Sequence, residues 1–172
     1  MTTANKITIF RVVMIPVFLV LAYADQPVWA FVVFALASLS DMLDGYIARH
    51  YHQITNFGKF MDPLADKVLV LAAMCFFVER GFMPGWAVAL VLLREFAVSG
   101  MRLIAVEQGR VIAAAWSGKI KTAVTMVGLA AMLLFSAYPW VNTLVTALIV
   151  ITTVWSGVEY FYKNRDVFKN VD

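Results

Sequence analysis

Long stretches without a single charge restrict what this chain can fold into. Val12 to Ala24, Val68 to Val78 and Gly128 to Ala137 contain no Asp, Glu, Lys or Arg. Across 172 residues, 62% are hydrophobic and 15% are charged. Soluble domains run near 45–50% apolar and about 25% charged, so an ordinary water-facing shell is not available here. A spanning helix needs roughly 20 mostly apolar residues. The hydrophobic runs predict six such helices, at 7–24, 28–49, 58–79, 84–104, 118–137 and 140–162. The expected fold is an all-α integral membrane protein, with residues 1–172 as a single domain.

Helix breakers punctuate the pattern. Asp25-Gln26-Pro27 separates the first two segments, Gly81 to Gly85 with Pro84 the third and fourth, and Pro139 the last two. No repeat or low-complexity segment interrupts them. Lys6 and Arg11 precede the first run, which lacks a small-residue cleavage site and is expected to be retained as a helix. Cys75, the single cysteine, has no internal disulfide partner and reads as a small buried apolar residue.

Basic residues collect on one side of the expected bilayer. Arg49 and Lys59 flank the second connection, while Arg102, Arg110, Lys119 and Lys121 surround the fourth. Lys163, Arg165 and Lys169 close the chain, and the odd-numbered connections hold only Arg80. Positive charge accumulates on the cytoplasmic face, so both termini are expected there, together with the two basic loops. Trp29, Trp86, Trp140, Trp155, Tyr160 and Tyr162 read as an interfacial aromatic belt. Lys163 to Lys169 reads as a solvated tail against anionic lipid, and His50 and His52 as solvated loop residues. The net charge of +3 is modest, and no nucleic-acid partner is expected.

Four carboxylates break the apolar rule. Asp41 and Asp44 fall near the end of the second expected helix, Asp62 and Asp66 near the start of the third. At 3.6 residues per turn, Asp41, Asp44, Gly45 and Ala48 share one face, and Gly58, Asp62 and Asp66 share another. An antiparallel helix pair would bring both faces together at the cytoplasmic surface. An Asp at a helix centre costs about 2.5–3.5 kcal/mol to insert, so four cost on the order of 10 kcal/mol at that depth. Divalent cations would offset both this cost and the mutual repulsion. An all-oxygen set suits Mg²⁺, Mn²⁺ or Ca²⁺ rather than zinc. Gly45, Ala48 and Gly58 would admit either a neighbouring helix or a nucleotide close to the backbone. Ion pairing with Arg49, Lys59 or Lys67, and a cation pathway, are the competing readings of the aspartates.

The run Asp41-x2-Asp44-Gly45-x2-Ala48-Arg49-x8-Gly58-x3-Asp62-x3-Asp66 resembles the signature of the CDP-alcohol phosphatidyltransferase family in every defining position. The resemblance implies a six-helix membrane fold in the bacterial inner membrane and a homodimer. It also implies a polar cavity facing the cytoplasm, with two divalent ions, Mg²⁺ or Mn²⁺. It makes Asp41, Asp44, Asp62 and Asp66 metal ligands, Asp66 the general base, and Gly45, Ala48, Arg49 and Gly58 the CDP pocket. Members of the family transfer a phosphatidyl group from CDP-diacylglycerol, or a related CDP-alcohol, to a hydroxyl and release CMP.

The second half of the chain bears on the acceptor. Leu93 to Leu103, Val111 to Ala114 and Gly118 to Thr122 resemble the phosphatidylglycerophosphate synthase branch of the family, as do Asn5 to Arg11 and Asp62 to Lys67. Thr125 departs from that pattern, which has a glutamine there. Arg94, Arg102, Arg110, Lys119 and Lys121 are more cations than orientation requires, and suit the phosphate of sn-glycerol 3-phosphate. Arg94 lies deep in its helix, where an unpaired cation is costly. Serine, an inositol phosphate or phosphatidylglycerol are the alternative acceptors. A small cation transporter using the acidic cluster is the alternative of another class.

Overall fold

A computed structural model describes residues 3–50, 56–110, 112–113 and 115–168, with side chains described at 9–40, 67–110, 112–113 and 115–167. Among the described residues there are six α-helices, one 3₁₀ turn and no strand. The helices are α1 (Thr3–Tyr23), α2 (Pro27–His50), α3 (Asn56–Glu79), α4 (Gly85–Glu107), α5 (Trp116–Phe135) and α6 (Pro139–Lys163), followed by the 3₁₀ turn Arg165–Phe168. Each coincides with one of the expected segments. α1 begins earlier than expected, because Thr3 to Lys6 are compatible with a helix, and it continues through Pro16.

Prolines and glycines set the boundaries as the sequence predicts. Pro27 and Pro139 open α2 and α6, where a missing N–H costs nothing. α3 ends at Glu79, and Gly81 just beyond it has a φ of 73°, the left-handed conformation of a helix stop. Phe82 N–H then reaches back to the carbonyl of Phe77 at 2.8 Å. Arg80 pairs with Asp25 at 2.8 Å at this end, and Tyr23 donates to Glu79, tying α1 to α3.

The core follows helical spacing. Ile15, Phe18 and Ala22 of α1 face Ala30, Phe34 and Ala37 of α2 and Leu69, Ala73 and Phe77 of α3. Val91, Leu129, Met132, Val145 and Ile149 continue it through α4, α5 and α6. α1 packs on α2 and α3, α5 on α6 and α2, and α4 on α6. Gly128 lets α5 and α6 approach closely, since a Cβ there would stand 2.7 Å from Val145 Cγ1.

α5 and α6 are long and apolar enough to cross a membrane, and only 28% and 39% of their apolar windows are buried within the protein. Most of each window thus faces outward, unlike the mostly buried core helix of a water-soluble fold. Leu93, Phe96, Leu103, Val127, Ile151 and Val158 also lie exposed on the outer surface. Such a surface suits hydrocarbon as its solvent.

Three readings need correction. Cys75 is exposed, because the buried face of α3 runs through Ala73, Met74, Phe76 and Phe77 and leaves it on the outside. Tyr160 is buried rather than part of the aromatic belt, whereas Trp29, Trp86, Trp140, Trp155 and Tyr162 are exposed. The end of the chain is not simply a solvated tail. Val167 is fully buried in a second small core with Val98, Met101, Ala105 and Tyr160. Gln108 Nε2 donates to the Val167 carbonyl at 3.1 Å. An apolar residue beside the C-terminal end of α4 has an available surface to cover, and the turn closes over it.

Candidate active site

α2 and α3 carry the acidic positions. Asp41, Asp44, Gly45, Ala48 and Arg49 fall in the last part of α2, and Gly58, Asp62 and Asp66 in the first part of α3. The side chains of these eight residues lie outside the described set, so the expected metal and CDP sites are located by helix position alone. His50 and His52 also lie outside the described side chains. Among the described residues, no group of three or more His, Cys, Asp or Glu side chains is able to hold a metal ion. The four aspartates stand outside that set; carboxylate oxygens alone are a donor set whose chemistry fits Mg²⁺ or Mn²⁺.

One residue beyond Asp66, Lys67 belongs to a cationic cluster. Its centre is Glu95, midway along α4. Glu95 Oε1 accepts from Arg94 Nη1 at 2.9 Å and from Lys121 Nζ at 2.8 Å. Its second oxygen lies 3.9 Å from Lys67 Nζ, which donates to Ser99 Oγ at 2.9 Å. Arg94 also reaches across to the hydroxyl of Ser156 on α6. Three helices, α3, α4 and α5, thus meet at one carboxylate, and α6 joins them through Arg94.

Burial grades the cluster. The Lys121 and Arg94 side chains are only 6% and 12% exposed, Glu95 is 22% exposed and Lys67 37% exposed. Exposure therefore rises from Lys121 towards Lys67. Three cations around one carboxylate leave two positive charges uncancelled among the described groups. An interior with that balance favours an anion. Breaking a buried pair of this kind typically costs about 3–5 kcal/mol, because one charge is left uncompensated.

Glycines make room for Arg94. A Cβ at Gly118 of α5 would lie 3.4 Å from Arg94 Nη2, and one at Gly157 of α6 would lie 3.4 Å from its Cγ. The guanidinium passes through a slot between these two helices. Thr125, where a glutamine was expected, is buried one turn beyond Lys121 and donates to the Lys121 carbonyl at 2.8 Å.

The other predicted acceptor residues do not join the cluster. Arg102 lies eight residues beyond Arg94, about 12 Å of helix rise. Its Nε donates to Tyr160 Oη at 2.8 Å, and its guanidinium lies 5.5 Å from the centre of the Tyr160 ring. Binding through Nε leaves the paired Nη atoms as a fork, the group that grips a phosphate in bidentate fashion. Lys119 is exposed and sits 5.1 Å over the Trp116 ring. Arg110 is exposed in the connection after α4. Arg11, in the first half of α1, is fully buried.

Lys67, Glu95, Ser99, Ser156 and Tyr160 were not among the expected site residues. Glu95 carried the one available signal, a lone carboxylate deep in an apolar segment beside Arg94.

Comparison with known proteins settles the family. Residues 1–155 match the family model for CDP-alcohol phosphatidyltransferase. The chain belongs to the CDP-alcohol phosphatidyltransferase family. A CDP-diacylglycerol–glycerol-3-phosphate 3-phosphatidyltransferase of Bacillus subtilis (strain 168) is 39% identical over 186 aligned residues, covering 96% of each chain. An enzyme of the same description from Salmonella paratyphi A is 38% identical, covering 92% of each. A probable phosphatidylglycerophosphate synthase of Mycobacterium tuberculosis (strain CDC 1551 / Oshkosh) is 38% identical over 91% of this chain and 78% of its own length. In this CDP-alcohol phosphatidyltransferase, the signature positions and the described cations divide by helix. The signature aspartates are on α2 and α3, and the described cations are mainly on α4 and α5.

Proposed function

We propose that this protein transfers a phosphatidyl group from CDP-diacylglycerol to sn-glycerol 3-phosphate, forming phosphatidylglycerophosphate and CMP. Near-full-length similarity to enzymes of that description carries the reading. The surplus of positive charge around Glu95 supports an acceptor that brings its own phosphate.

In this reading Arg94 and Lys121 hold the acceptor phosphate, the Arg102 fork further along α4 grips it on its way in, and Arg110 and Lys119 attract it from the surface. Gly45, Ala48, Arg49 and Gly58 form the CDP pocket. Asp66 takes the proton from the acceptor hydroxyl. The hydroxyl oxygen forms a bond to the phosphorus that bears diacylglycerol. The bond from that phosphorus to the bridging pyrophosphate oxygen breaks, and its electron pair leaves with CMP. Two ions, Mg²⁺ or Mn²⁺, held by Asp41, Asp44, Asp62 and Asp66, would supply charge neutralisation of the pyrophosphate. We place all six helices across the bacterial inner membrane, with both termini and the site cytoplasmic, and take the unit to be a homodimer. The basic connections and the exposed apolar helix faces support that placement.

The test is CMP release by purified protein given CDP-diacylglycerol and Mg²⁺ or Mn²⁺. Release is expected with glycerol 3-phosphate and not with serine, an inositol phosphate or phosphatidylglycerol. Release only with one of the latter would transfer the chemistry to that acceptor, and ion flux in liposomes without any release would remove it.

A further inference from the structure

We infer that Glu95 is a positioning residue for acceptor binding: its two carboxylate oxygens assemble Lys67, Arg94 and Lys121 into a preformed cationic array before the phosphate arrives. The inference rests on the proposed glycerol 3-phosphate reading and adds Lys67 and Glu95 to it.

Three observations carry it. Glu95 is the shared partner, taking Arg94 and Lys121 on one oxygen at 2.9 and 2.8 Å and facing Lys67 with the other at 3.9 Å. The three cations come from three helices, so no local spacing holds them together. Finally, the least buried cation is Lys67, whose long contact to Glu95 contrasts with the short contacts of the buried pair. Arg94 and Lys121 are locked, while Lys67 is the most exposed of the three. That arrangement presents an anion with a fixed wall and one adjustable ammonium.

Removing the carboxylate charge has two opposing effects. It raises the local positive charge, which attracts an anion. It also leaves like charges in contact distance of one another, which drives their head groups apart. The second effect dominates because Arg recognises a phosphate through a fixed fork, and a displaced fork loses both bonds. Glu95 does not touch the reacting atoms in this scheme.

The test is steady-state kinetics of Glu95→Gln in the full-length protein, varying each substrate in turn. A merely structural role lowers the active fraction and hence the maximal rate, leaving KM unchanged. A positioning role raises KM for glycerol 3-phosphate by about tenfold or more and leaves KM for CDP-diacylglycerol within about twofold. Glu95→Asp retains the charge on a shorter stem and should give an intermediate KM; it serves as the test if Glu95→Gln does not fold. Unchanged KM values, or equal rises in both, would overturn the inference. Arg94→Ala and Lys121→Ala separate it from the reading beneath it. If neither alters the glycerol 3-phosphate KM, the phosphate site itself is wrong. If they do and the Glu95 variants do not, only the positioning role fails.

Discussion

Lys121 of α5 lies 2.8 Å from Glu95 of α4, a pairing across 26 residues that fixes the start of one helix against the middle of the other. Arg94 occupies the same oxygen, although adjacent helical residues point to different sides. Its long stem curls back towards its neighbour while the other side of the guanidinium reaches Ser156. The cluster therefore joins the half of the chain that bears the signature aspartates to the half that bears the cations.

Asp66→Asn is expected to remove the proton acceptor while keeping shape. The maximal rate should fall by about a hundredfold or more, the scale typical of general base loss. Thermal unfolding in detergent should stay close to that of the parent. Retained activity would exclude Asp66 as the base.

Arg102→Ala should raise the glycerol 3-phosphate requirement by about tenfold and leave that for CDP-diacylglycerol little changed. Arg102→Lys restores charge without the fork and should recover only part of the loss. Tyr160→Phe keeps the ring and deletes the hydroxyl that holds Arg102 Nε. It should produce a smaller shift in the same direction.

Chelation with EDTA should abolish CMP release, and Mg²⁺ or Mn²⁺ should restore it where Zn²⁺ does not. The measurement is CMP release before and after each ion is returned. Activity that persists in EDTA would exclude the metal role of the four aspartates.

Gly128→Ala should destabilise the α5–α6 pair by about 1–3 kcal/mol, the usual cost of overpacking. The new methyl would stand 2.7 Å from Val145 Cγ1, and a β-branched side chain in a helix has little freedom to turn away. Adding Val145→Ala should recover much of the loss. Thermal unfolding of the single and double variants provides the comparison.

The helices were legible because their punctuation is chemical. Pro27, Gly81 and Pro139 mark boundaries through missing donors or a left-handed backbone, whatever surrounds them. The acidic signature was legible because its spacing is local. The cationic cluster was not. Lys67, Glu95, Lys121 and Ser156 are distant in sequence, and only the packing of α3, α4, α5 and α6 makes them neighbours. Tyr160 misled because an aromatic near a span end suits both a lipid interface and a buried hydrogen bond. Val167 misled because one apolar residue among charges gives no periodic signal. Cys75 misled because, in an apolar environment, outside and inside faces have the same composition.

The slot that receives Arg94 ties three sites into one evolutionary unit. A side chain at 118 or 157 presses on the arginine, and loss of the arginine leaves a gap between two glycines. Neither change is neutral while the other partner stays. Among related sequences, a larger residue at either glycine position should therefore arrive with a smaller residue at position 94. Lineages that made the exchange would keep Lys121 as the close counter-charge of Glu95 and lose only the link from Glu95 through the arginine to Ser156.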